Sequence, residues 1–307
     1  MPLSSSLRRV QPIWQLLKAT VSEWQFNQVS LLAAALAYHT VFSIAPLMVL
    51  VIMLVGLVFG ESAAQGELVQ QLEQVVGPEA AQVIETAIAS LREDQSGDTI
   101  QFIVSLGFVA FGAINVFLQI QGALNKIWHV KPRPRQNLFR FLRKRLLTFA
   151  MVLVIAFLLV VSFISNTVMG TLVNLLSDAL PDFFPVWRLL SFSISLVMLT
   201  LLFAAIYTLL PDAKVTWKDA LVGSTLTTVL FVIGQFLFGQ VLSRTEFGSA
   251  YGIAGSFVIL ITWIYYAAHI FFLGAEFTEV YAERLGTPIV PEPHAVSIKQ
   301  EAEVHQY

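Results

Sequence analysis

The chain has 307 residues, 56% of them hydrophobic and 12% charged, with a formal net charge of -2. Soluble domains run at roughly 45–50% apolar and about 25% charged, so this composition, with a mean hydropathy of +0.73, points to a chain dissolved in lipid. No cysteine is present, which excludes disulfides, thiolate zinc sites and a cysteine nucleophile.

Taken in chain order, residues 1–28 show no cleavable signal peptide, because the first long apolar run starts only near Leu31. Within them Trp14, Leu17, Val21 and Trp24 recur at helical spacing, which predicts an amphipathic helix at the cytoplasmic interface. A span needs roughly 20 mostly apolar residues, and six segments qualify, at about 29–60, 100–123, 146–171, 189–210, 218–242 and 248–275. Their interiors carry no Asp, Glu, Lys or Arg, whereas a large soluble core helix would keep a charged face. The expectation is an all-α integral membrane bundle of about six helices, with its transmembrane domain at 29–285. Pro46 removes a backbone donor inside the first span, so a kink or break is expected there.

The connection 62–98 is acidic, with Glu61, Glu67, Glu73, Glu79, Glu85, Glu93, Asp94 and Asp98 against Arg92. Leu68, Leu72, Val75 and Val76, then Val83, Ile84, Ala87, Ile88 and Leu91, predict two amphipathic helices separated at Gly77-Pro78. The next connection, 124–145, carries Lys126, Lys131, Arg133, Arg135, Arg140, Arg143, Lys144 and Arg145 with no acid. Positive-inside logic puts the basic loop in the cytoplasm and the acidic segment outside. An even number of spans then returns both termini to the cytoplasm. The tail 286–307, with Pro288, Pro291 and Pro293, reads as disordered.

Several short pieces recur in an order that points to a known family. They are Ala35-Leu36-Ala37-Tyr38 with Phe42-Ser43 and Pro46, Gly122-Ala123-Leu124-Asn125-Lys126-Ile127-Trp128, and Leu210-Pro211-Asp212 with Trp217-Lys218-Asp219-Ala220. Tyr251-Gly252-Ile253-Ala254-Gly255-Ser256, Trp263-Ile264-Tyr265 and Gly274-Ala275-Glu276 complete the set. Residues from about 25 to 285 thereby resemble the YihY/BrkB family of bacterial inner-membrane proteins, once labelled ribonuclease BN. His39 stands where that family often has an aromatic residue. The resemblance implies a six-span helical protein of the bacterial inner membrane and supplies no agreed activity.

Polar side chains inside a bilayer mark candidate sites. Asn115 and Gln119 share a stripe of the second span with Gly122 and Lys126, and Asn125 lies at its cytoplasmic end. They serve either as interhelical glue, worth about 0.6 kcal/mol on average, or as a cavity wall. Gln235 of the fifth span, and Tyr251, Tyr266, His269 and Glu276 of the sixth, are the other candidate cavity residues. Glu276 either pairs with Lys126 or an arginine, or holds a proton or cation. Pro46, Gly252 and Gly255 are candidate hinge or gate positions. The basic loop satisfies topology and would also contact anionic lipid, at about 1 kcal/mol for each cation near the surface.

The function expected is a transporter or a lipid- or envelope-component-handling protein with a polar intramembrane cavity. A non-catalytic scaffold or assembly partner is the alternative. The partners expected are membrane lipids and an amphiphilic or anionic cargo, with a homo-oligomer left open. Metal-dependent RNA hydrolysis needs clustered ligands, but His39, His129, His269, His294 and His305 form no HxH or HxxxH pair. No enzyme activity, metal or cofactor is expected. Nucleic acid is not expected either, because no aromatic platform is interleaved with the charge.

Overall fold

The computed structural model describes residues 5–59, 65–66, 69, 81–82, 84–86, 88–89, 115–133, 184–242 and 247–298. Its helices are α1 (Ser5–Phe26), α2 (Val29–Phe59), α3 (115–127), α4 (Phe184–Leu209), α5 (Trp217–Leu242) and α6 (Phe247–Arg284). Among the described residues there are also four short strands, β1 (Val130–Pro132), β2 (Ala213–Lys214), β3 (Val290–Pro291) and β4 (Ala295–Ser297). Among the described residues three stretches are long and apolar enough to cross a membrane, Phe192–Leu209, Trp217–Val241 and Phe257–Arg284. The third expected span (146–171) and most of the second lie outside the described residues, as do Arg135, Arg140, Arg143, Lys144 and Arg145.

The helix ends follow local chemistry. Pro185 sits in the first turn of α4, where a missing N–H costs nothing. Asp219 in the first turn of α5 and Arg284 in the last turn of α6 complement the helix dipoles. Helix α2 runs without interruption through position 46, so no break is seen there. In the acidic segment the described residues are helical, and Ala81, Ile84 and Ile88 are buried at steps of three and four.

Helix α6 is the hub, with α5, α2 and α1 packed on it and α4 packed on α5. The α5/α6 contact is an interlock of two Gly-x-x-x-Thr pairs. A side chain at Gly223 would collide with Thr278, and one at Gly274 would collide with Thr227 and the Tyr207 hydroxyl. Close backbone approach of this kind is how helices associate where lipid offers no hydrophobic drive. An aromatic column fills the adjoining space. Trp128 lies 6.2 Å from Tyr207, Tyr207 5.1 Å from Phe271, and Phe203 5.9 Å from both Phe271 and Phe231. The Tyr207 hydroxyl, fully buried, donates to Phe271 O at 2.6 Å and lies 3.0 Å from Thr227 Oγ1.

The start of α2, the end of α3, the α4–α5 loop and the end of α6 meet at one end of the bundle, here termed the polar end. The tail departs from the expectation of disorder over residues 287–298. Strand β4 pairs antiparallel with β1 (Val130↔Ser297, Pro132↔Ala295), and β3 pairs with β2 (Ala213↔Pro291). The prolines that suggested disorder sit in or beside two- and three-residue ribbons, where their missing N–H groups break no extended ladder. These strands also qualify the all-α expectation, although the chain remains mostly helical.

Candidate functional site

Two polar clusters occupy the polar end. The first is built around Asp212, which is 1% exposed at its side chain. The Asn125 amide donates to Asp212 Oδ2 at 2.7 Å, and its carbonyl accepts the Asp212 backbone N–H at 2.8 Å. His294 Nε2 donates to the other carboxylate oxygen at 2.8 Å, and Glu292 N–H donates to Asp212 O at 2.9 Å. One aspartate thus ties the end of α3, the α4–α5 loop and the tail together. A buried carboxylate needs this degree of satisfaction to be tolerated. Nearby, Thr287 N–H donates to the buried Asp219 carboxylate at 3.1 Å and holds the tail at the start of α5.

The second cluster lies where α1 and α2 meet α6. Glu276 is fully buried, and its Oε1 accepts from the Asn27 amide at 2.9 Å. Its Oε2 has no hydrogen-bond partner among the described residues. Glu23 and Lys126 lie within electrostatic range. One turn on, Glu279 Oε1 lies 3.5 Å from His129 Nε2. His129 holds the left-handed backbone (φ 51) that caps the exit from α3, and its carbonyl accepts from Ile298 N–H at 2.8 Å. Toward the membrane interior, His269 Nδ1 lies 3.0 Å from Tyr265 O and Nε2 3.3 Å from Ser30 Oγ. Because a carbonyl only accepts, Nδ1 carries the proton.

The structure therefore brings together some of the candidate residues and separates others. Both ends of the Asn125 amide are used by Asp212. Glu276 and His269 face the α1–α2 joint, and the described partner of Glu276 is Asn27, not Lys126, which is exposed. Asn115, Gln119 and Gln235 are half-buried, and no described hydrogen bond joins them to either cluster. Tyr266 is 36% exposed with its ring 6.2 Å from Trp263. Gly255 is buried, whereas the side chain of Tyr251, the surroundings of Gly252 and the ring of Pro46 lie outside what is described. Lys131 within β1 and Arg133 just after it are exposed. Among the described residues no three His, Asp or Glu side chains gather as a metal site would require. Asn27, His129, Asp212, Asp219, Glu279 and His294 are the residues sequence reasoning missed. Leu210-Pro211-Asp212 and Trp217-Lys218-Asp219 carried a signal, because both acids stand beside span ends.

Comparison with known proteins gives a family and several named relatives. The profile of the family described as virulence factor BrkB matches residues 20–299. A UPF0761 membrane protein of Pseudomonas aeruginosa (strain LESB58) is 30% identical over 246 residues, covering 79% of this chain and 57% of that protein. The chain thus spans little more than half the length of that relative. A UPF0761 membrane protein of Aliivibrio salmonicida is 30% identical over 84% of this chain and 80% of its own length. A Bacillus subtilis protein named "Putative ribonuclease-like protein YfkH" is 23% identical over 89% of this chain and 97% of its own. No solved structure matches.

Proposed function

The chain belongs to the BrkB virulence-factor family of membrane proteins, and from that premise we propose that it moves or presents an amphiphilic, anionic-headed lipid or envelope component. It does so as a six-span protein of the bacterial inner membrane with both termini in the cytoplasm. The orientation rests on charge: Lys126, Lys131 and Arg133 open the basic 124–145 connection at the polar end, and positive-inside logic makes that end cytoplasmic. The proposal includes a polar intramembrane path past Glu276 and a gating role for Pro46 and the α6 glycines Gly252 and Gly255.

One observation carries this reading. Glu276 is a fully buried carboxylate with one oxygen unpartnered among the described residues, set in a helix long and apolar enough to span. Such a group is expensive in a membrane and is a functional-site hypothesis by default. Purified full-length protein in proteoliposomes, scored for lipid scrambling and small-anion flux against empty vesicles, tests it. Flux above background supports transport, and equality for every cargo defeats it.

A second reading, the non-catalytic scaffold, is favoured by the Asp212 knot. There every described hydrogen bond serves to hold one segment to another. The same vesicle experiment separates the two.

A further inference from the structure

Helix α1 presents three arcs along its length. Leu16 and Thr20 are buried, and α1 packs chiefly on α6. Gln15, Lys18, Ser22 and Gln25 form an exposed polar arc. Between these two, Trp14, Leu17 and Val21 form an apolar stripe at i, i+3 and i+7 that is 68%, 41% and 50% exposed. A helix in water has no reason to leave such a stripe uncovered.

The level of this helix can be read from α6. At one end Arg284 Nη1 donates to Gln15 O at 3.4 Å; at the other Asn27 Nδ2 donates to Glu276 Oε1 at 2.9 Å. The Trp24 ring lies 5.8 Å from that of His269, tilted by 48°. Arg284 and Glu276 are eight residues apart, about 12 Å along the axis, so α1 meets α6 at two depths. A helix lying flat on the surface would meet it at one. The uncharged run of α6 ends at Ala275, with Glu276, Glu279, Glu283 and Arg284 beyond it. Helix α1 therefore descends from the charged end of α6 at Gln15 to the edge of its uncharged run at Trp24 and Asn27.

We propose that α1 is inclined into the bilayer, with the Trp14, Leu17 and Val21 stripe seated on phospholipid, from headgroup level at Trp14 to the acyl chains at Val21, and the Lys18–Ser22 arc turned to water. The occupant of the stripe is lipid because its deep end comes level with the uncharged run of α6, where Trp24 meets His269. The deep end of α1 leads to Asn27, so the seating of α1 in lipid passes to Glu276 through one hydrogen bond. This inference needs only a membrane location and stands whether or not a cargo is carried.

The native chain lacks cysteine, so single spin labels test the proposal directly. Full-length Trp14→Cys, Leu17→Cys, Val21→Cys, Lys18→Cys and Ser22→Cys variants are labelled and reconstituted in phosphatidylethanolamine/phosphatidylglycerol vesicles. Power saturation is then read with oxygen, which partitions into lipid, and with a water-soluble nickel chelate. Labels at 17 and 21 should show severalfold greater oxygen than nickel accessibility, with depth increasing from 14 to 21. Labels at the exposed positions 18 and 22, which disturb no packing, should show the reverse preference. Nickel dominance at 17 and 21 would overturn the lipid assignment, as would shielding from both reagents, the mark of a protein partner. Equal depth at 14 and 21 would overturn the inclination.

Discussion

Asn125 and Asp212, 87 residues apart, hold each other through both ends of one amide, donating to the carboxylate at 2.7 Å and accepting from the backbone at 2.8 Å. With His294 on the remaining carboxylate oxygen, this knot joins three separate connections at the polar end.

Removing its centre should therefore be costly. Asp212→Ala leaves the buried Asn125 amide N–H without its acceptor, at about 1–3 kcal/mol for a buried group unsatisfied, and releases the part-exposed His294. Thermal unfolding in detergent, followed by tryptophan fluorescence, should show a lowered midpoint. Paired with Asn125→Ala, a double-mutant cycle should give a coupling of about 0.5–3 kcal/mol. Simple additivity would mean the two residues do not act together.

The tail should behave as a strap. Ile298 N–H binds His129 O, Arg133 N–H binds His294 O, and Glu292 N–H binds Asp212 O. Deleting residues 287–307 removes all of these bonds while leaving α6 whole. Hydrogen exchange should then accelerate in segments 128–133 and 210–216 but not in the middle of α5. Unchanged protection in both segments would show that the strap holds nothing.

The α5/α6 interlock makes a contrast between glycines. Gly274→Leu must displace Thr227 and the Tyr207 hydroxyl, whereas a side chain at Gly239 meets no atom within 4 Å. Overpacking costs about 1–3 kcal/mol, so Gly274→Leu should lower the unfolding midpoint and Gly239→Ala should leave it in place. Equal effects would contradict the packing described.

The spans were legible because hydrocarbon imposes a demand that local composition alone reveals: residues 189–210, 220–242 and 248–275 carry no Asp, Glu, Lys or Arg. The close-packed face was not. Among the described glycines, Gly223 and Gly274 take tight seats against Thr278 and Thr227, because the register between two helices decides which small residue is used. Asp212 reads locally as an ordinary loop acid, and its burial depends on Asn125 and His294, each more than eighty residues away. Prolines 291 and 293 argued for a loose tail, and long-range pairing with residues 130–132 and 213–214 overrode them. Glu276 was found early because a carboxylate near the end of an apolar helix is visible in one dimension. Its partner Asn27, 249 residues away, was not.

The central claim is that Glu276 works rather than merely holds. Glu276→Gln keeps the shape and an oxygen for the Asn27 amide while removing the charge, so its unfolding midpoint serves as the control. Lipid scrambling in proteoliposomes, wild type against this variant at matched stability, is the most direct measurement. The account predicts activity above empty vesicles for the wild type and its loss in the variant. Undiminished scrambling by a stable Glu276→Gln protein would contradict it.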